Sequence, residues 1–96
     1  MNTTLKQAVN LIATLQPVEG NSLHSKDTDK FYIVYSYGEH FPLAAFNYTE
    51  KLWYLNTDKY SATTSRHQSI VKQALHKDAR IILCNTVELI SLLRGN

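Results

Sequence analysis

One cysteine, two prolines, three glycines and a single tryptophan are all that this 96-residue chain holds of the residues that most constrain geometry or chemistry. A lone cysteine cannot close an internal disulfide. Cys84 lies within the apolar run Ile81-Ile82-Leu83-Cys84, where it reads as a small buried hydrophobe in a reducing compartment, most simply the cytoplasm. No apolar run approaches the length needed to cross a membrane, and the first residues lack a basic segment followed by an apolar stretch, so neither a membrane nor export is expected. The sequon Asn47-Tyr48-Thr49 then carries no glycan. A net charge of +2 is too small to argue for nucleic acid by itself. The chain also lacks a glycine-rich phosphate loop, CxxC, HExxH and a serine on a glycine-flanked elbow. Its four histidines, His24, His40, His67 and His76, show no metal-ligand spacing. Neither a cofactor, nor a metal, nor catalysis is expected.

What is present describes one α+β domain spanning residues 1–96. Hydrophobic content of 44% and charged content of 19% suffice for a core that folds without staples. Thr4 and Gln7 frame a capping box, and Leu5, Ala8, Val9, Ile12 and Ala13 share one helical face, predicting an N-terminal helix within 1–16 that Pro17 stops. The polar stretch 17–30 reads as a loop. Aromatic and β-branched alternation from Phe31 to Tyr37, a return from Phe41 to Phe46 and a short run from Leu52 to Leu55 predict a three-stranded antiparallel meander over 31–56. Pro42 confines the second of these strands to an edge or to the strand's start. Of the first strand's two bulky faces, one covers helices and the other leaves tyrosines at least partly exposed or overlaid by a partner. A central helix over 65–76, an interior strand from Arg80 to Cys84 and a last helix capped by Asn85 and Glu88 complete the order α-β-β-β-α-β-α.

The densest chemistry falls at Lys59-Tyr60-Ser61-Ala62-Thr63-Thr64-Ser65-Arg66-His67-Gln68. Ser65 with Gln68 fits a capping box that opens the central helix. A helix start carries free N–H donors and partial positive charge, so Thr63, Thr64, Ser65 and Arg66, with Lys59 and Lys72 nearby, form a candidate anion or nucleic-acid site; the competing reading is capping alone. His67 falls within the apolar arc of Ile70, Val71, Ala74 and Leu75, so it points inward as a packed, hydrogen-bonded ring with Tyr60 as its expected company. Ser65 and His67 point to opposite sides of the helix, which defeats a nucleophile and base pair.

Charge is uneven along the chain. Residues 1–50 hold three Lys/Arg against five Asp/Glu, and residues 51–96 hold seven against three. That asymmetry suits a basic face on the central helix, and it equally suits a solvated helix side. Six tyrosines and a tryptophan suit anchors at a protein interface, with Tyr35, Tyr37, Tyr54 and Tyr60 as candidates, or else a two-sided core. The last helix carries Val87, Leu89, Ile90, Leu92 and Leu93 most of the way round, so it is covered on two sides or buried in a homo-oligomer.

The blocks Val34-Tyr35-Ser36-Tyr37-Gly38, Ala44-Ala45, Trp53-Tyr54 with Asn56, and Lys59 to Gln68 resemble a family of small uncharacterised domains of tailed bacteriophages and mobile elements. The likeness spans about Tyr32 to Leu75 and departs from the usual pattern at His40-Phe41-Pro42. It implies a phage-type accessory protein inside a bacterial host, and no reaction. The expected function is binding a host or defence protein and altering its activity, the alternative being a nucleic-acid-binding module on the central helix.

Overall fold

The computed structural model describes residues 5–20, 22–38, 41–59 and 61–95. The elements in chain order are α1 (Leu5–Ala13), β1 (Leu23–Asp27), β2 (Phe31–Ser36), β3 (Pro42–Asn47), β4 (Leu52–Asn56), α2 (Ala62–Ala74), β5 (Ile81–Cys84) and α3 (Thr86–Leu93). The class is α+β, as expected, with one strand more than the sequence suggested. Five strands form one sheet in sequential order. The first four pair antiparallel and β5 joins β4 in parallel. A parallel neighbour requires a crossover, and α2 supplies it.

Both faces of the sheet are covered, so β2 is buried along its whole length. On one face Tyr32, Val34, Ala44, Trp53 and Leu55 meet Ala8 and Ile12 of α1 and Ile70, Val71 and Ala74 of α2. On the other, Phe31, Ile33, Tyr35 and Ala45 meet Cys84 and Leu89. The adjacent alanines of β3, both fully buried, point to opposite faces, and their small size lets side chains of both helical layers approach the sheet. Large aromatics fill the space at the margins, where Trp53 meets Tyr32 edge-on at 6.2 Å and Phe46 at 5.4 Å. The second face is therefore not an open display of tyrosines. Pro42 begins β3, the other place where a missing N–H is tolerated, and a bulge between Val34 and Tyr35 accommodates it.

Three further expectations change. The stretch 17–30 is not all loop, because Leu23–Asp27 pairs with β2 from Leu23↔Ser36 to Asp27↔Tyr32. Its composition is polar because an edge strand needs only its backbone and an anchor, here the buried Leu23. Next, α2 starts earlier than Ser65. Ser61 is its N-cap, with an extended backbone and a hydroxyl accepting from the Thr64 N–H at 3.1 Å. Gln68 makes no capping box and is instead buried, donating to the carbonyls of Asn56 at 3.0 Å and Asp58 at 2.7 Å. Finally, β5 is not an interior strand. It forms the sheet's edge with Ile81, Ile82 and Leu83 exposed, and only Cys84 turns into the core. The Thr4 cap, the Glu39-His40 turn and Tyr60 lie outside the described residues.

The Asn85–Glu88 capping box of α3 forms as expected, the Asn85 oxygen accepting from the Glu88 N–H at 2.8 Å and the Glu88 carboxylate from the Asn85 N–H at 2.9 Å. Two outcomes in denaturant titrations follow from these placements. Ser61→Ala should cost about 1 kcal/mol through loss of the cap, whereas Ser65→Ala should stay within about 0.5 kcal/mol. Burial, with Glu88 and Asp58 nearby, pushes the Cys84 thiol up to about 11. Maleimide should thus label Cys84 only on unfolding, and Cys84→Ser should cost about 1–3 kcal/mol.

Candidate functional site

Two places gather side chains with chemistry. The first is a polar knot at one end of the sheet, where β1 begins, β2 ends and α2 starts. The His67 ring, 2% exposed, lies between two serines, its Nδ1 2.8 Å from the Ser36 Oγ and its Nε2 3.3 Å from the Ser22 Oγ. Ser36 also reaches the Thr64 hydroxyl at 3.4 Å, and Ser61 reaches Thr64 at 3.1 Å. Tyr37 closes the end. Its backbone adopts the left-handed region, φ 65°, held by its N–H on the Ser22 carbonyl and by its own carbonyl on the His24 ring, while its aromatic ring leans toward His67 at 6.1 Å. His67 points inward as expected, with these serines as its company.

The knot holds the His67 ring from both sides. Burial, and then the Arg66 charge, hold His67 below its ordinary value of 6.5, so the neutral ring is favoured. Ser22, His67 and Ser36 line up as a hydroxyl, an imidazole and a second hydroxyl. A serine in the third place supplies no negative charge to stabilise an imidazolium, so the ring is a weak base toward Ser22. Among the described residues, buried side-chain nitrogens and oxygens all have hydrogen-bond partners.

The expected anion site at the α2 start is not assembled. Thr64 is buried and its N–H is taken by Ser61. Thr63, Arg66, Lys72 and Lys59 are exposed and Ser65 is half-buried. Arg66 and Lys72 point roughly 120° apart around the helix, so they make no single basic stripe. Asn56, which ends β4, and Asp58 just beyond it instead tie α2 to α3. Asn56 donates to the Pro42 carbonyl at 2.8 Å and to the Thr86 hydroxyl at 2.9 Å. The Asp58 carboxylate accepts from the Thr86 N–H at 2.8 Å, and hydrogen bonding from the Thr86 backbone and then its side chain holds it below its ordinary value.

The second place is a groove of about 400 Å³ on the α3 face of the sheet. It exists because a helix about 10 Å wide cannot cover five strands spanning about 19 Å. Since α3 packs over β3 and β4, the groove opens toward β1, while the β2 side chains at its floor stay buried. Ile33, Tyr35 and Pro42 from the sheet and Ile90 and Leu93 from α3 provide apolar lining, with Thr28, Lys26 and Arg94 also lining it. A shallower extension adds Asp29, Lys30 and Phe31, so cations outnumber the one carboxylate along the two. Comparison with family models, with curated proteins and with solved structures gives no match.

The expected tyrosine anchors divide. Tyr35 is 6% exposed, stacked on His24 at 5.4 Å, and lines the groove. Tyr54 is half-buried against the same core cluster, and Tyr37 is 51% exposed. Sequence reasoning missed Lys26, Thr28 and Arg94. The signal for Arg94 lay in its place directly after an apolar helix; Lys26 and Thr28 had none, because β1 itself was not foreseen.

Because the folded state disfavours protonated His67, the unfolded chain binds more protons near the ordinary value, and stability should fall as pH drops below about 6.5. His67→Gln should flatten that dependence between pH 7 and 5 in denaturant titrations, at the cost of a lower plateau.

Proposed function

We propose that this is a small accessory protein that binds a host or defence protein and alters its activity without catalysis, taking an acidic, apolar-anchored segment of that protein in the groove between α3 and strands β1 and β2. One observation carries the reading: an apolar groove lined by Ile33, Tyr35 and Leu93 also bears the cations Lys26 and Arg94. Apolar lining gives an anchor its burial, and charges at the margin select sign and orientation. A volume of about 400 Å³ suits one or two side chains of a bound segment rather than a whole domain face. The phage-type setting rests on the resemblance of residues 32–75. The weakly basic serine-flanked histidine supports binding over catalysis.

The test is affinity capture from nuclease-treated bacterial lysate with the wild-type chain and the variant Arg94→Glu. The variant should keep its melting temperature and bind the captured protein at least tenfold more weakly, a loss of about 1.4 kcal/mol or more. Equal capture by both chains would place binding outside the groove. Retention lost on nuclease treatment would favour the nucleic-acid alternative.

A further inference from the structure

The two edges of the sheet are treated differently. The β1 edge is covered by the chain that precedes it. The Ser25 N–H donates to the Val18 carbonyl at 3.0 Å and the Gly20 N–H to the Leu23 carbonyl at 2.9 Å, while the Ser25 hydroxyl accepts from the Val18 N–H at 2.8 Å. The β5 edge ends the strand order, and among the described residues no further strand pairs with it. Toward β4, the Arg80 carbonyl accepts from the Trp53 N–H at 2.8 Å and the Cys84 carbonyl from the Thr57 N–H at 2.9 Å. Backbone direction alternates along a strand, so Ile82 also faces β4, and the N–H and C=O groups of Ile81 and Leu83 face outward.

The side chains on this edge are as open as its backbone. Ile81 is 41% exposed, Ile82 45%, Leu83 65% and, at the start of α3, Val87 76%. Exposed edges are normally blunted by lysine, proline or a bulge, because unpaired backbone recruits another strand. Ile81-Ile82-Leu83-Cys84 contains no charge and no proline.

We infer that β5 is a pairing edge whose occupant is the β5 of a second copy of this chain, joined antiparallel about a two-fold axis into a continuous sheet. Charge decides in favour of that occupant and that direction. Lys77 and Arg80 outnumber Asp78 before the strand, whereas Asp58, bonded to the Thr86 N–H, and Glu88, bonded to the Asn85 N–H, outnumber Lys59 where it ends. Antiparallel pairing lays the basic end of each copy beside the acidic end of the other. Parallel pairing would set like charges together and would not close on a two-fold. The outward residues fix the register. Ile81 of one copy exchanges backbone hydrogen bonds with Leu83 of the other, which puts the two Ile82 residues directly opposite, in the closely spaced kind of pair. Strand alternation then places Arg80 on the α3 face, toward Glu88 of the second copy.

Sedimentation equilibrium of the full chain across a concentration series tests the dimer, and cysteine cross-linking tests its geometry. The wild type should sediment as a dimer, and Leu83→Lys as a monomer with an unchanged circular dichroism spectrum. Arg80→Glu should weaken association at least tenfold. Under mild oxidation Ile82→Cys should link two copies, since opposed residues lie about 4.5 Å apart, within disulfide reach. Leu83→Cys should not, because each copy's residue 83 is offset by two positions from the other's, beyond about 7 Å. A wild type that stays monomeric at the highest concentration overturns the inference, as does a dimer that survives Leu83→Lys or cross-links equally at both positions. Should Leu83→Lys fail to fold, the two cysteine variants decide the matter.

Discussion

The hydrogen bonds of the His67 ring to Ser36 and Ser22 join three elements that no local preference would bring together. Ser36 ends β2, Ser22 precedes β1 and His67 stands on the second turn of α2. An imidazole taken out of water without partners would oppose folding by several kcal/mol, and with both nitrogens bonded the cost is largely offset. The same bonds therefore set the seat of α2 over one face and the start of β1 along the edge. From that start follow the pairing of Leu23 with Ser36 and the stacking of His24 on Tyr35, and further along the same strand Lys26 lines the groove. A histidine whose burial disfavours its charged form marks this end of the molecule.

A second constraint is the width of the sheet against the size of what covers it. Two helices pack on one face and one short helix packs on the other. The shortfall leaves the groove with cations beside its apolar lining, and it leaves β5 with no layer beyond it. These openings face different directions, so a partner segment in the groove and a second copy on β5 do not compete for the same residues. The proposed assembly would present two grooves related by the two-fold axis, a geometry suited to a partner with paired segments.

The small residues near the middle of the sheet deserve the same physical weight as the large ones. Ala44 and Ala45 leave room on both faces of β3, and Trp53, Tyr32 and Phe46 fill the margins. That arrangement explains why six tyrosines need not mean an exposed aromatic surface. Tyr32 is buried with its hydroxyl donating to the Gln16 carbonyl at 2.6 Å, and burial pushes it up to about 12; Tyr48 donates to Asp27 at 2.7 Å. Such tyrosines bind the chain to itself.

Periodicity and capping chemistry alone determined the α+β class, the antiparallel run from Phe31 to Leu55, the inward histidine and the Asn85–Glu88 start of the last helix, because each depends on residues within one or two turns or on strict alternation. The start of α2 was legible only in part. Ser61 and Ser65 are equally good caps locally, and what selects Ser61 is the burial of Thr64 and Gln68 against the sheet. For β1 the residues gave no warning, since a polar strand forms only where a neighbour offers its backbone. The apolar run Ile81 to Cys84 pointed the wrong way for the converse reason. Hydrophobicity states what a strand prefers to touch, but whether it lies inside or at an edge depends on strand order, which only the crossover through α2 decided.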